Sequence, residues 1–362
     1  MKKCNSGRRN FCRALVSLSC AGILPVQTLA AWFTYPFSEP KSIRNMDRGN
    51  KKDHIDFEPG YLKLHRAGEL RTRAGILWDM MAPCRLCPRE CDQDRIRGQK
   101  GDYCNATAQL QVSSYNPHFG EEKPLVGRNG SGTVFFTNCS MLCVFCINWE
   151  ISQGGVGFDV NTKHLADMML QLQEMGCHNI NVVTPTHYSP HILMALDDAA
   201  ARGLKIPLVY NTSGWEKLEV IQLLDGVVDI YLTDFKYFDA DMADKYSPGA
   251  DSYPEVTKKA IIEMNRQVGV ADPDGNAGIL QRGLMIRHLV MPNNVSGTGR
   301  LMKWIADNLP TDTYVNLMAQ YTPYFKANEF PEIARRITVR EYRNAVNAAR
   351  TAGLTNLDIQ GI

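Results

Sequence analysis

The chain has 362 residues, of which 44% are hydrophobic and 22% are charged, and its formal net charge is +2. This composition is that of an ordinary globular protein with enough apolar residues for a full core. A nearly neutral chain without a long block of like charges is not expected to bind nucleic acid or a membrane surface. No apolar run reaches the roughly 18 residues that a membrane-spanning helix needs, and no solenoid or propeller repeat is present.

The first 30 residues have the three parts of an export signal. Residues 1–10 are basic and contain the pair Arg8-Arg9, residues 14–26 are apolar, and residues 28–30 form a small-residue cleavage site. This arrangement resembles a twin-arginine signal, which exports folded proteins, so we expect an extracytoplasmic location. The alternative is a cytoplasmic protein with a basic extension. Residues 31–59 have mixed charge with several prolines and glycines, and we interpret them as a linker.

Four of the 11 cysteines form a group within residues 60–130. Cys84, Cys87, Cys91 and Cys104 have the spacing C-x2-C-x3-C-x12-C, and turn residues before Cys104 let the chain double back. Four cysteines at this spacing can close a site for zinc or for a second iron–sulfur cluster. Two disulfides are the alternative, although three cysteines within eight residues are poorly placed for unstrained bridges. We therefore interpret residues 60–130 as a helical, cysteine-rich, metal-binding segment.

A second group of cysteines follows a predicted strand at residues 133–137. Cys139, Cys143 and Cys146 form a CxxxCxxC run in the loop that leaves this strand, where α/β folds place their sites. Three thiolates suit a cubane of four irons in which one iron has no protein ligand and is open to chemistry. The alternatives are a zinc site with a distant fourth ligand and three cysteines packed as small hydrophobic residues.

The CxxxCxxC run, with the aromatic residue Phe145 just before its last cysteine, resembles the signature of the radical S-adenosylmethionine superfamily. From about Tyr61 to the C-terminus, the motifs are similar to those of the branch known as pyruvate formate-lyase activating enzyme homologues. The resemblance implies a 4Fe-4S cluster whose open iron is chelated by S-adenosylmethionine. One electron from the cluster then cleaves S-adenosylmethionine to methionine and a 5′-deoxyadenosyl radical, which abstracts a hydrogen atom.

The resemblance also implies partners. The reaction needs S-adenosylmethionine and a one-electron reductant such as a flavodoxin or ferredoxin, and both are expected mainly in the cytoplasm. That supply conflicts with the export signal at the N-terminus. Because three parts of the leader agree with one another, we keep export as the prediction and cytoplasmic location as the alternative.

From residue 133 onward, predicted strands alternate with predicted helices. Residues 163–175 have apolar positions at helical spacing and stop at Gly176, and Thr338 with Glu341 forms a capping box that opens the last long helix. The apolar runs that read as buried parallel strands are 133–137, 180–183, 206–210, 228–232, 284–290 and 314–318. Six such βα units predict an α/β fold, an open partial (β/α)6 barrel of radical S-adenosylmethionine type over residues 131–362. Its open side can admit a large substrate, including a protein loop.

The second predicted strand ends in Thr184-Pro185-Thr186-His187. The superfamily usually has a Gly-Gly-Glu turn at this place, which holds the amino group of S-adenosylmethionine. The glycine pair is absent here, so we expect Thr184, Thr186 and His187 to replace it with polar side chains. A single histidine is more often a capping or hydrogen-bonded residue, but barrel enzymes place functional groups at strand ends.

The third and fourth predicted strands end in turns that resemble motifs of the activating enzymes. Asn211, Thr212 and Ser213 match a polar-Thr-polar-Gly turn, and Asp234 with Lys236 matches an Asp-x-Lys motif. In that family both turns lie close to the carboxylate of S-adenosylmethionine, so the resemblance implies that these five residues help to hold it. By itself, Asp-x-Lys is a weak signal whose ordinary explanation is a surface ion pair worth under about 1 kcal/mol.

Arg287 is a permanently charged residue in the otherwise apolar fifth strand. It needs a buried anionic partner, and we interpret it as a second clamp for the carboxylate. The sequence therefore predicts a radical S-adenosylmethionine oxidoreductase that resembles activases of glycyl-radical enzymes, while fold-family similarity leaves the substrate open. The alternatives are radical modification of a peptide or small molecule, and a non-enzymatic iron–sulfur or zinc protein for electron transfer or assembly.

Overall fold

The computed structural model describes residues 57–273 and 278–361, which belong to one compact unit. The predicted export signal at residues 1–30 and nearly all of the predicted linker at residues 31–59 lie outside the described residues. Of the helices in the described ranges, none has the length and apolar character that a membrane span requires.

Helices and strands alternate along most of the described chain. The helices are α1 (Gly60–Arg66), α2 (Glu69–Asp79), α3 (Lys123–Val126), α4 (Trp149–Ser152), α5 (Thr162–Glu174), α6 (Ser189–Ala201), α7 (Leu218–Leu223), α8 (Ala240–Tyr246), α9 (Tyr253–Val268), α10 (Thr298–Asn308) and α11 (Val339–Thr351). The strands are β1 (Gln111–His118), β2 (Ser131–Phe136), β3 (Phe158–Asp159), β4 (Ile180–Val183), β5 (Leu208–Thr212), β6 (Ile230–Asp234), β7 (Gly283–Leu289), β8 (Tyr314–Met318) and β9 (Leu357–Ile359).

The strands form one open nine-stranded sheet in the order β3-β1-β2-β4-β5-β6-β7-β8-β9. From β2 through β4 to β9 each neighbouring pair is parallel, whereas β1 and β3 add an antiparallel edge. The predicted α/β class is confirmed, and the six predicted strands are present as β2 and β4 to β8. The structure adds three strands to these six, which the apolar runs did not predict because β1 is largely polar and β3 and β9 are too short to show an alternating pattern.

The observed bounds of β5 and β6 lie two residues later in the chain than predicted. Strand β5 begins after Pro207 and continues through Asn211 and Thr212, and strand β6 continues to Asp234. Polar residues at these positions still form ladder hydrogen bonds, so the strands extend beyond the apolar runs that predicted them. The side chains of Asn211 and Asp234 therefore project from the sheet itself.

Helices α5 and α11 follow their sequence signals. Helix α5 ends just before Gly176, which has a φ of 85° in the left-handed region. Helix α11 begins with the predicted capping box, in which the Glu341 N–H donates to Thr338 Oγ1 at 3.2 Å and the Thr338 N–H donates to Glu341 Oε2 at 2.7 Å. Both helices bury the apolar positions that their periodicity indicated.

Alternate residues of the parallel strands pack on opposite faces of the sheet. Tyr210, Tyr231 and Ile286 pack with buried helix residues in the main core. On the other face lies a smaller group, here called the inner cluster, which consists of Leu125, Val209, Ile230, Leu232, Ala271, Leu280, Met285 and Tyr314.

Helix α3 covers this second face. Leu125 of α3 is fully buried in the inner cluster, its carbonyl oxygen accepts a hydrogen bond from Asn179 Nδ2 at 2.9 Å, and the Pro124 carbonyl accepts from the Leu280 N–H at 2.9 Å. The strand residues of the inner cluster all lie within the first three positions of strands β5, β6, β7 and β8. Helix α3 therefore seals the face at the N-terminal ends of the strands and leaves their C-terminal ends uncovered.

We expect Leu125→Ala to lower the free energy of unfolding by about 2–5 kcal/mol, because it opens a hole beneath the sheet that neighbouring side chains cannot fill. The matched control is Leu218→Ala in α7, where the leucine is 40% exposed and the loss should stay below about 1 kcal/mol. Denaturant titrations of the three proteins measure both values. Equal losses would show that α3 does not seal the sheet.

Candidate functional site

A cavity of about 340 Å³ opens at the C-terminal ends of the parallel strands. Its volume lies at the lower end of the range of roughly 300–1,000 Å³ found for small-molecule sites. The predicted site residues that line it are Cys139, Cys143, Phe145, Cys146, Thr184, Asn211, Thr212, Ser213, Asp234, Lys236 and Arg287. We call it the strand-end cavity. The structure thus brings together the CxxxCxxC loop and the polar ends of several strands.

Each sulfur of the CxxxCxxC loop has a hydrogen-bond partner. The Met141 N–H donates to Cys139 Sγ at 3.4 Å, Ser247 Oγ donates to Cys143 Sγ at 3.1 Å, and Cys146 Sγ lies 3.2 Å from Ser152 Oγ. Hydrogen bonds to cysteine sulfurs stabilise negative charge on them and are one means by which proteins tune iron–sulfur centres. The contacts also hold the loop in one conformation.

The three cysteines supply the thiol chemistry that an iron–sulfur cluster requires. Burial raises the pKa of the Cys139 thiol to about 12 and also raises the pKa of the Cys143 thiol. Both thiols are therefore protonated at neutral pH, and a bound metal would favour their thiolate forms. Among residues 57–273 and 278–361, no group of three or more histidine, cysteine, aspartate or glutamate side chains could hold a metal ion. The ligands of a four-iron cluster bind different irons, so they surround a cavity instead of converging on one atom.

A buried charge network supports one wall of the strand-end cavity. Asp234 is 9% exposed; its Oδ1 accepts from Arg287 Nε at 2.8 Å and its Oδ2 from Lys236 Nζ at 2.5 Å. Burial raises the pKa of Asp234, but the charges of Arg287 and Lys236 lower it by more, so the carboxylate stays ionised. The explanation of Asp-x-Lys as a surface ion pair is therefore wrong.

Arg287 uses its whole guanidinium group within the protein. Besides Asp234, it donates from Nη2 to Asn211 Oδ1 at 2.7 Å and from Nη1 to Glu121 Oε2 at 3.3 Å. The predicted need for a buried anionic partner is met by two carboxylates, Asp234 and Glu121. Arg287 thus positions the carboxylate of Asp234 and the amide of Asn211 at the cavity wall.

Sequence reasoning missed two glutamates, Glu121 and Glu122, which immediately precede α3. Glu121 contacts Arg287 and Asn211, and buried Glu122 accepts from Asn316 Nδ2 at 2.8 Å. Burial raises the pKa of Glu122. Two adjacent glutamates usually indicate exposed chain, and only the insertion of α3 beneath the sheet brings them close to the site.

Thr186 and His187 lie outside the strand-end cavity, and this corrects the expectation that they face it. Thr186 Oγ1 donates to Glu216 Oε1 at 2.6 Å, and burial raises the pKa of Glu216 to about 7. His187 Nε2 lies 2.8 Å from the Thr137 carbonyl oxygen. The chain turns into a 3₁₀ helix directly after Pro185, which directs both side chains into the protein, so only Thr184 of this turn lines the cavity.

The structure also brings the other cysteine group together. Cys84, Cys87, Cys91 and Cys104 line one small cavity, here called the N-terminal cysteine cavity, and none of them forms a disulfide. Burial raises the pKa of the Cys87 thiol to about 12 and that of Cys104 as well. The remaining described cysteine, Cys177, is 3% exposed and packs in the main core, as predicted.

The fold and the site define an α/β protein with an open sheet and a cysteine-lined cavity at its strand ends. No family model matches the chain. It is 30% identical over 316 residues to the uncharacterized protein MJ0674 of Methanocaldococcus jannaschii, and the similarity covers 84% of this chain and 85% of that protein. The chain belongs to the same family as this archaeal protein.

Thr184 has a φ of 58°, a left-handed conformation that is costly for a β-branched residue. We expect Thr184→Gly to be more stable than Thr184→Ala by about 1 kcal/mol, because both lose the side chain but only glycine relieves the strain at Cβ. At exposed Thr72 inside α2 the order should reverse, with glycine about 1 kcal/mol less stable than alanine. Denaturant unfolding of the four variants measures both differences, and the same order at both positions would contradict the strained turn.

Proposed function

We propose that the protein is a radical S-adenosylmethionine enzyme, an oxidoreductase that holds a 4Fe-4S cluster through Cys139, Cys143 and Cys146. The strand-end cavity carries this proposal, because three cysteines at CxxxCxxC spacing share its wall with polar strand ends. Open α/β sheets bind their ligands at the carboxyl ends of the strands. When bound, a reduced cluster would donate one electron to S-adenosylmethionine, whose carbon–sulfur bond would break to give methionine and the 5′-deoxyadenosyl radical that abstracts hydrogen from a substrate.

The proposed fold type is the partial barrel of that superfamily. Two features of the described residues support it: parallel strands run from β2 through β4 to β9, and their helices pack in the main core on one face of the sheet. The opposite face holds the inner cluster at one end and the strand-end cavity at the other. A sheet covered in this way encloses a site on its inner side, as a partial barrel does.

Phe145 has a structural role in this proposal. It is 8% exposed and packs edge-on against Tyr237 and Tyr321, with ring centroids 6.3 and 5.9 Å away. Such aromatic contacts hold the end of the CxxxCxxC loop against the strand ends. Phe145 therefore anchors the residue next to Cys146 at the cavity wall.

The charge network suits the methionine part of S-adenosylmethionine, which carries one ammonium and one carboxylate group. Asp234 and Lys236 present a carboxylate and an ammonium side by side at the cavity wall, and Arg287 holds Asp234 in place. A carboxylate and an ammonium side by side can form charge-assisted hydrogen bonds with the ammonium and the carboxylate of a zwitterion. The proposed binding set is therefore Asp234 and Lys236, with Asn211, Thr212, Ser213 and Thr184 as polar neighbours.

An apolar rim borders the opening of the strand-end cavity. Ile147 is 66% exposed and Tyr324 is 43% exposed, and both line the cavity. Beside them Trp149 stacks on Phe325 with ring centroids 5.1 Å apart. Exposed apolar groups around a cavity mouth are typical of ligand-binding and docking surfaces. The rim suits a substrate with apolar side chains, and a protein loop is one such substrate.

The direct test measures cleavage of S-adenosylmethionine by anaerobically reconstituted, dithionite-reduced protein. We expect the wild type to form 5′-deoxyadenosine and the Cys139→Ala, Cys143→Ala, Cys146→Ala variant to form none, because it lacks the three proposed ligands. Cys177→Ala, a buried cysteine outside both cysteine cavities, is the matched control and should keep the activity. Equal amounts of 5′-deoxyadenosine from the triple variant and the wild type would contradict the proposal.

The proposed location is outside the cytoplasm, reached by export of the folded protein. The support is the leader, in which Arg8-Arg9, an apolar stretch and a small-residue cleavage site occur in the order of a twin-arginine signal. Folded export would let the cluster be inserted in the cytoplasm, where its components are made.

Fractionation of cells that make the protein tests the location. We expect a shortened extracytoplasmic form that disappears in the Arg8→Lys, Arg9→Lys variant, because the twin-arginine pathway reads the arginine pair itself. The charge of the leader is the same in this variant, so a general loss of basic character cannot explain the result. Full-length cytoplasmic protein in both cases would contradict export.

A further inference from the structure

The N-terminal cysteine group is in contact with the CxxxCxxC loop. Ser140, which follows the first cysteine of the CxxxCxxC loop, lines the N-terminal cysteine cavity. Arg89, which lies between Cys87 and Cys91 in the other group, lines the same cavity. Its Nε donates to the Ser140 carbonyl oxygen at 3.0 Å. One side chain of the N-terminal group therefore bonds directly to the backbone of the CxxxCxxC loop.

A second bond of Arg89 reaches the other side of that loop. Its Nη2 donates to the Pro248 carbonyl oxygen at 2.8 Å. Pro248 follows Ser247, whose hydroxyl donates to Cys143 Sγ at 3.1 Å. The guanidinium group is thus linked to both Ser140 and the segment that hydrogen-bonds to Cys143.

Two aromatic rings hold the guanidinium group of Arg89. Its Cζ lies 4.0 Å from the ring centroid of Tyr103 and 4.7 Å from that of Trp215. Trp215 is 1% exposed, and its Nε1 donates to Ser252 Oγ at 3.2 Å, so this ring is itself fixed. Cation–π contacts of this kind orient an arginine and hold its charge away from water. The position of the charge is therefore defined by the fold.

The electrostatics agree with this geometry. Burial lowers the pKa of Arg89, while the sulfurs of Cys87, Cys139 and Cys143 favour its charged form. The guanidinium group remains charged in proteins. Arg89 is therefore a partly buried cation that interacts with cysteines of both groups, and at such sites screening by salt is weak.

We propose that Arg89 couples the two cysteine groups electrostatically, so that its positive charge raises the reduction potential of a cluster at Cys139, Cys143 and Cys146. The proposal rests on the proposed function in one respect, that these three cysteines bind a cluster. A reduced cluster carries one more negative charge than an oxidised one, so a nearby cation favours reduction and raises the potential. The rings of Tyr103 and Trp215 and the two carbonyl oxygens hold its guanidinium group in place, which makes Arg89 a tuning residue.

The test is a redox titration of reconstituted protein followed by electron paramagnetic resonance, with iron content measured in parallel. We expect Arg89→Gln to shift the potential of the CxxxCxxC cluster to a more negative value, because it removes the cation. Arg89→Lys should give a smaller shift in the same direction, since it keeps the charge but loses the paired bonds to Ser140 and Pro248.

Arg85→Gln is the matched control. Arg85 lies in the same cysteine run, between Cys84 and Cys87, but its side chain is 54% exposed and pairs with exposed Asp92. Removal of this charge changes the net charge of the segment equally, and solvent screens it, so the potential should stay at the wild-type value.

The outcomes separate this inference from the proposed function. A wild-type potential in Arg89→Gln, with full iron content, would overturn the coupling even if S-adenosylmethionine is cleaved normally. If Arg89→Gln does not fold, the potential of Arg89→Lys is measured instead, and a wild-type value with full iron content would overturn the coupling. A shifted potential in protein that binds a cluster but leaves S-adenosylmethionine intact would support the coupling and overturn the proposed function.

Discussion

A parallel sheet must be covered on both faces, and the rest of this structure depends on how that requirement is met. Each crossover places its helix in the main core on one face. The other face is therefore left to the chain segments that remain. Helix α3 fills its N-terminal end through Leu125, and the C-terminal end becomes the strand-end cavity. The site exists because one short segment covers only half of the inner face.

The same segment connects the covered end of the sheet to the charges at the open end. Glu121 and Glu122 precede α3 and contact Arg287 and Asn316, which lie beside Asp234 in the same register row across β6, β7 and β8. A buried arginine without a carboxylate partner would be costly, and loss of one partner from a buried pair typically costs about 3–5 kcal/mol. The packing of α3 and the arrangement of the charged wall are therefore interdependent. A change beneath the sheet is expected to reach the site through Arg287.

The N-terminal cysteine segment is attached to the sheet by specific contacts. Tyr61 donates to the Ile206 carbonyl oxygen at 2.9 Å, the Gly60 N–H donates to Asp229 Oδ1 at 2.8 Å, and α2 packs on α6. These contacts fix α1 and α2 on the helical side of the molecule. The cysteines that follow α2 are then held beside the CxxxCxxC loop. The contacts of Arg89 with Ser140 and Pro248 then join the two cysteine groups directly.

Sequence alone was sufficient for the features whose signals are local. The six apolar runs, the glycine stop after α5 and the capping box of α11 each depend on a few neighbouring residues, and each is present in the structure. The spacing of Cys139, Cys143 and Cys146 likewise placed three sulfurs on one cavity wall. Periodicity and short spacing are properties of the chain that survive folding unchanged.

Tertiary structure decided which polar residues reach the site. Thr186 and His187 stand in a turn next to the cavity, yet the 3₁₀ helix after Pro185 directs them into the protein. Glu121 is distant in sequence from every predicted site residue, yet it contacts Arg287 because α3 inserts beneath the sheet. The direction of a turn and the docking of a short helix depend on packing between segments far apart in the chain. No local pattern records that packing, so it appears only when the chain is folded.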